Sequence, residues 1–318
     1  MRFAIVGAGA VGGYFGARLV QSGHDVTFLA RGAHLQALRE RGLTLHTPSG
    51  ESLVPVRAEE DPARVGPVDV VMLAVKTYHL PSALPSVKTL LSAVDTPALG
   101  GPTAVVLTLQ NGVDSPSEVA AAVGEQAVLG GSAYISTALT APGVISQTGT
   151  HQRITLGEYF GTLPRLSPRV LALRDALASA GIRTDAVPDA RVSLWDKLVF
   201  LGPFAGVTGA TRLPIGPLRD CPPALDTYRE AAQETARVAA AEGITVQRHP
   251  DTLVEELRGL PAHTRASLLG DLEQGRPLEV EALLGSVVRR GRAAGVPTPV
   301  LATLYGVLAP HAQGRTGS

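Results

Sequence analysis

Phe3-Ala4-Ile5-Val6-Gly7-Ala8-Gly9-Ala10-Val11-Gly12-Gly13 opens the chain with an apolar strand that runs straight into a glycine turn. The spacing G-x-G-x-x-G is that of a dinucleotide-binding loop, and each glycine has a separate task. Gly7 permits the tight turn out of the strand, Gly9 lets backbone come close to a pyrophosphate, and Gly12 lets the following helix lie near the sheet. The free N–H groups at the start of that helix, with its positive dipole end, face the anion. In a chain of 35 glycines the motif alone is a weak signal. Its context gives it weight, because a strand over 2–6 precedes it and a helix over 11–22 follows. Gly7, Ala8, Gly9, Ala10, Val11 and Gly12 are therefore the expected cofactor loop.

Outward from this loop, short apolar runs alternate with helical patterns, as in a parallel sheet covered on both faces. Strands are expected at 25–29, 68–74, 104–108 and 127–129. A hairpin is expected over 43–56 around Thr47-Pro48-Ser49-Gly50, and a second around Ala141-Pro142-Gly143 between strands at 132–138 and 144–148. A strand at 153–156, a helix at 167–179 and a strand at 182–186 complete the pattern. After Val187-Pro188-Asp189 the strand signals stop. Leu225, Tyr228, Ala232, Thr235 and Ala239 form the apolar stripe of a long helix, and helices are expected at 264–274, 279–294 and 299–312. Residues 314–318 read as a frayed tail. The expected fold is thus α/β: a Rossmann-type dinucleotide-binding domain, residues 1–187, followed by an all-helical domain, residues 188–318.

A chain of 318 residues suits two domains. Its 28 basic and 28 acidic residues cancel, so it lacks the electrostatic footprint of a nucleic-acid or anionic-membrane binder. The expected partners are a small molecule and a second copy of the chain in a homodimer. Cys221, the single cysteine, excludes an internal disulfide, and no targeting segment or membrane span is readable, which points to the cytoplasm. The eight histidines form no close pair at helical spacing, so no metal site is expected.

The second strand ends in Leu29-Ala30-Arg31-Gly32, where NAD sites usually carry an acid about twenty residues after the glycines. A guanidinium there can bind a 2′-phosphate through paired charge-assisted hydrogen bonds. Arg31 therefore favours NADP(H), the other reading being an arginine that only caps a surface loop.

Several separated motifs then agree: Val75-Lys76, Leu109-Gln110-Asn111-Gly112, Trp195-Asp196-Lys197-Leu198, Ser267-Leu268-Leu269-Gly270-Asp271, Gly275-Arg276-Pro277-Leu278-Glu279-Val280-Glu281 and Gly295-Val296-Pro297-Thr298-Pro299. With the glycine loop and Arg31, they make the chain resemble the ketopantoate reductase (2-dehydropantoate 2-reductase) family over nearly its whole length. The resemblance implies NADPH-dependent reduction of a 2-oxo acid, ketopantoate, to pantoate, on the way to pantothenate and coenzyme A. It implies that Lys197 gives the proton and that Glu279, near lysine and cofactor, helps keep the ammonium charged. Asn111 would touch both cofactor and substrate, Ser267 would bind the substrate carboxylate, and Lys76 would lie near the nicotinamide. Taken alone, Lys197 is also readable as a solvated helix lysine and Ser267 as a surface serine.

The chain departs from the family where asparagines usually follow the lysine by four and eight residues, since Leu201 and Ala205 stand there, and Ile215 replaces a third before Gly216. These changes imply a more apolar pocket, in which Arg212 could restore a positive charge. They keep open a reductase of another, more apolar 2-oxo acid and a non-catalytic NADP(H)-binding module. Retention of both Lys197 and Glu279 argues against the latter.

Overall fold

A computed structural model of the chain describes residues 1–92 and 104–315. It divides into two compact units, one of residues 1–110 and 115–190, the other of residues 111–114 and 191–318.

Among the described residues the first unit is built on ten strands: β1 Arg2–Val6, β2 Asp25–Leu29, β3 Leu43–Thr47, β4 Gly50–Val54, β5 Arg57–Glu59, β6 Val70–Leu73, β7 Val105–Thr108, β8 Val128–Ala141, β9 Val144–Glu158 and β10 Arg183–Val187. The run β5-β2-β1-β6-β7-β8 is parallel throughout. Renumbered, it is the 3-2-1-4-5-6 order of a Rossmann sheet, with the direction of progression reversing between β1 and β6. Alternate residues of one strand feed opposite cores: Ile5, Met72 and Leu107 pack in one, Val6, Val71 and Val106 in the other. Both faces are buried, which is why these strands read as unbroken apolar runs. Helices α1 Ala10–Gln21, α2 Gly32–Arg41, α3 Leu80–Ser92, α4 Ser115–Val123 and α5 Pro168–Ser179 belong to this unit.

The strands expected separately at 127–129 and 132–138 are one strand, β8, and those at 144–148 and 153–156 are one strand, β9. Their antiparallel pairing continues where the side chains turn exposed, so the apolar pattern fades before the backbone ladder does. The β3–β4 hairpin joins the sheet through β9, with Leu45 opposite Ile145. β5 went unread because only Ala58 of Arg57-Ala58-Glu59 is buried, and the strand exists through its pairing with β2.

Gly7 has φ +98°, in the left-handed region that favours glycine, and a Cβ there would stand 2.6 Å from the Val75 nitrogen. At Gly12 a Cβ would stand 2.2 Å from the Gly7 carbonyl oxygen and 3.0 Å from Ala74 Cβ, whereas at Gly9 it would meet nothing within 4 Å. Gly12→Ala is therefore expected to destabilise the protein by about 1–3 kcal/mol, the usual consequence of overpacking. Gly9→Ala should leave the thermal midpoint in place. Equal midpoints for parent and Gly12→Ala would show that α1 does not press on the turn.

The second unit is helical: α6 Ala190–Thr211, α7 Ile215–Arg219, α8 Pro222–Ala241, α9 Pro250–Arg258, α10 Ser267–Glu273, a π-helical turn Glu281–Gly285, α11 Ser286–Ala294 and α12 Pro299–Leu308. The expected stripe of α8 is buried, and Glu234 is buried with it. Its carboxylate accepts the N–H groups of Val300 at 2.9 Å and Leu301 at 2.8 Å. A buried acid thus caps α12, whose own Thr298 supplies no side-chain cap. The single helix expected over 279–294 is a π turn running into α11. Asn111–Asp114, placed by the sequence with the first domain, clusters with the helical unit. Of the expected tail, Gly314 and Arg315 are described, and the Arg315 N–H donates to the Gly275 carbonyl at 2.9 Å; residues 316–318 lie outside the described residues. Among the described residues no helix is long and apolar enough to cross a membrane.

Candidate active site

The C-terminal ends of β1, β2 and β6 border a cavity of about 390 Å³ in the first unit, walled among others by Gly7, Gly9, Arg31, His34, Glu60 and Val75. It lies where the strand order reverses, the position at which open α/β sheets bind ligands. Gly9 is the N-cap of α1 and no side chain caps that helix, so its first-turn N–H groups remain available to an anion. Ala8 is buried, while Ala10 and Val11 are half-buried. Arg31 is exposed at the start of α2, and among the described residues it has no ion-pair partner. Glu60, also exposed, brings a carboxylate to the same cavity.

His34 is a residue that sequence reasoning missed. Its Nδ1 accepts the Gly143 N–H at 3.0 Å and its Nε2 lies 2.8 Å from the Ala8 carbonyl. An amide can only donate and a carbonyl can only accept, so the two contacts fit the tautomer with its proton on Nε2. It ties the glycine turn to the β8–β9 hairpin. Gln110, buried at the end of β7, donates from Nε2 to the Leu73 carbonyl at 3.0 Å and joins the ends of β7 and β6. Lys76 is half-buried, stands at the N-cap position of the 3-10 turn Thr77–His79 that follows β6 after a short link, and is not part of the cavity wall.

In the helical unit three of the expected residues meet. Lys197, in the second turn of α6, donates from Nζ to Asn111 Oδ1 at 2.9 Å, and Asn111 Nδ2 donates to Glu279 Oε2 at 3.2 Å. Glu279 is buried, at 5% exposure, just before the π turn. Burial draws the Lys197 pKa down from 10.5 to about 8, with the Glu279 carboxylate pulling the other way. The ammonium thus donates to Asn111 and feels the Glu279 carboxylate, while burial favours loss of its proton.

The motif around Lys197 divides its work. Trp195 and Leu198 are buried in the core. Asp196 Oδ1 accepts the Gln247 N–H at 2.6 Å and the Arg248 N–H at 3.2 Å, holding the chain between α8 and α9 against α6. Asp271 and Arg276 pair at 2.8 Å across the turn that leads to Glu279.

The remaining expected residues do not join this cluster. Ser267 is exposed as the first residue of α10 and makes no hydrogen bond to Lys197, Asn111 or Glu279. Arg212 is exposed beyond the end of α6, in the left-handed conformation at φ +57°. Leu201 is half-buried, while Ala205 and Ile215 are fully enclosed. Ile215 packs with Phe204, Leu218, Leu225, Tyr228 and Leu257 around a small apolar gap.

A Rossmann-type unit with an uncapped glycine-loop helix, followed by a helical unit carrying a lysine–asparagine–glutamate cluster, defines the class of the chain as a two-unit α/β protein. Comparison with known proteins agrees. Residues 3–161 match the family model described as ketopantoate reductase PanE/ApbA, and residues 189–312 match its C-terminal counterpart. The chain belongs to the ketopantoate reductase family, a family of oxidoreductases. It is 32% identical to a 2-dehydropantoate 2-reductase of Mesorhizobium japonicum, over 95% of this chain and 94% of that protein. It is 30% identical to the uncharacterized oxidoreductase YkpB of Bacillus subtilis, over 96% of this chain and 97% of that protein. The crystal structure of a 2-dehydropantoate 2-reductase from Geobacter metallireducens superposes with a TM-score of 0.86 at 29% identity, covering 98% of this chain and 99% of that one.

Proposed function

We propose that this protein reduces a 2-oxo acid with NADPH, and that ketopantoate (2-dehydropantoate), giving pantoate, is the first substrate to test. The observation that carries this reading is the Lys197–Asn111–Glu279 cluster, since a lysine drawn down to about 8 is suited to proton transfer near neutral pH. The cofactor's place is the cavity at the glycine loop. Gly9 leaves open space where a Cβ would stand, α1 presents uncapped N–H groups, and Arg31 carries a guanidinium with no ion-pair partner among the described residues, features that fit a pyrophosphate and a 2′-phosphate. A reduced nicotinamide held by these residues would supply hydride for C2 of the oxo acid.

Lys197 Nζ gives its proton to the former carbonyl oxygen, converting C=O to CH–OH, and its positive charge stabilises the oxygen as negative charge builds. Asn111 aims the ammonium, and Glu279 opposes its early deprotonation. Ser267 is the proposed contact for the substrate carboxylate, and Lys76 a contact at the nicotinamide end.

Leu201, half-buried one helical turn beyond Lys197 where the resemblance expects an asparagine, favours a second reading within the same chemistry, a more apolar 2-oxo acid; Ala205 and Ile215 lie in the helical core and do not bear on it. A site without a dedicated amide discriminates for a hydroxyl by only about 10²-fold, against 10⁴ or more where such partners exist. The test is NADPH consumption with a panel containing ketopantoate, its deoxy analogue 3,3-dimethyl-2-oxobutanoate and unbranched 2-oxo acids. Ketopantoate should exceed the deoxy analogue in kcat/KM by no more than about 10²-fold. A 10⁴-fold preference would overturn the account of the pocket, and NADPH binding without turnover of any acid would overturn the reductase reading in favour of a binding module.

A further inference from the structure

We propose that Arg290 is a positioning residue for the proton donor, acting through Asp114 to hold Asn111 against Lys197. This rests on the proposed reductase reading. Asn111–Asp114 is a four-residue loop between β7 and α4, two elements of the first unit, yet it clusters with the helical unit. Besides the contacts of Asn111 itself, the far end of the loop is held to that unit. Arg290, on α11, donates to Asp114 Oδ1 from Nε at 2.9 Å and from Nη2 at 2.5 Å. Its Nη1 donates to Glu242 Oε1 at 2.6 Å, at the end of α8, so the guanidinium is oriented from both sides. Arg289 adds a looser charge, 3.9 Å from Asp114 Oδ2. Gly112, at φ +87°, rests on the π turn, where a Cβ would stand 2.7 Å from the Ala282 carbonyl oxygen.

The loop is therefore pinned at its second and fourth residues, and Asn111 is its first. Asn111 has one workable orientation, because Oδ1 must face the Lys197 ammonium while Nδ2 must face the Glu279 carboxylate. A loop displaced by about 1 Å loses both contacts, a misplacement that can lower a rate by up to about 10²-fold.

The test compares the full-length parent with Arg290→Gln, Arg290→Lys, Asn111→Ala and the Arg290→Gln/Asn111→Ala double variant. Arg290→Gln should lower kcat by about 10-fold or more, within the span that misplacement allows, and leave the NADPH dissociation constant within about twofold. Arg290→Lys should recover part of the rate. In the Asn111→Ala background Arg290→Gln should have no further effect, because both changes remove the same interaction. A second readout is independent of turnover. Lysines occur only at 76, 88 and 197, so the Lys197 ζ-nitrogen can be titrated by NMR in nitrogen-15-lysine-labelled protein. Arg290→Gln and Asn111→Ala should each lower its pKa by the same amount, since each removes an acceptor from the charged form.

An unmoved Lys197 titration in folded Arg290→Gln protein would overturn the positioning role, as would equal rate losses in both backgrounds. If the parent turned over no 2-oxo acid while the titration shifted as expected, the reductase reading would fall and the positioning of Lys197 would stand.

Discussion

Lys197→Ala is expected to lower kcat for 2-oxo acid reduction by about 10²–10⁴-fold, the range for loss of a positioned general acid, while NADPH still binds. Nζ is the only group of the cluster that can give up a proton as cation, since Asn111 does not titrate in this range and Glu279 serves as acceptor. Single-turnover rates with saturating cofactor, alongside thermal unfolding, separate a chemical loss from a folding loss. The pH dependence carries a linked expectation. Lys197 donates only as the ammonium, and its pKa is drawn down from 10.5 to about 8. The reduction rate should therefore be level below about pH 7 and fall as pH rises through 8, approaching tenfold per unit, with that limb absent in Lys197→Ala. Near-parental turnover by folded Lys197→Ala would dismiss the lysine as the donor.

Arg31→Ala should weaken NADPH by roughly 10- to 100-fold, the effect of losing a charge-assisted contact of about 1.5–3 kcal/mol, and should leave NADH nearly untouched. Arg31 is exposed and has no ion-pair partner among the described residues, so the substitution breaks no internal pair. Glu60 borders the same cavity and repels a phosphate, so the preference rests on which charge the 2′ position meets. Titration of nicotinamide fluorescence against each variant measures both affinities. Equal losses for the two cofactors would show that Arg31 reads a part of the molecule common to both.

Much of the first unit was legible because its signals are local. The glycine loop announces itself by its spacing directly after an apolar strand, and a Cβ at Gly12 would collide with the carbonyl of nearby Gly7. The central strands announce themselves because both faces are buried. The long hairpin was harder, since β8 and β9 extend beyond the core and keep their ladder with exposed side chains. The motif residues Lys197, Asn111 and Glu279 were legible as a resemblance, although nothing in their spacing says that they touch. Ser267, from an equally legible motif, does not join them.

By itself the sequence determined the glycine loop, the parallel sheet and the change to helices after residue 187, because apolar periodicity and glycine spacing act over a few residues. Tertiary structure alone decided which chemistry-bearing groups meet. Asn111 and Glu279 are 168 residues apart in the chain, and Asp114 and Arg290 are 176 apart. It also decided that the loop at 111–114 clusters with the helices rather than with the sheet it leaves, and that Ala205 and Ile215 are enclosed in the helical core. Such pairings arise from packing and charge partners brought together at long range, and no local period encodes a partner so distant along the chain.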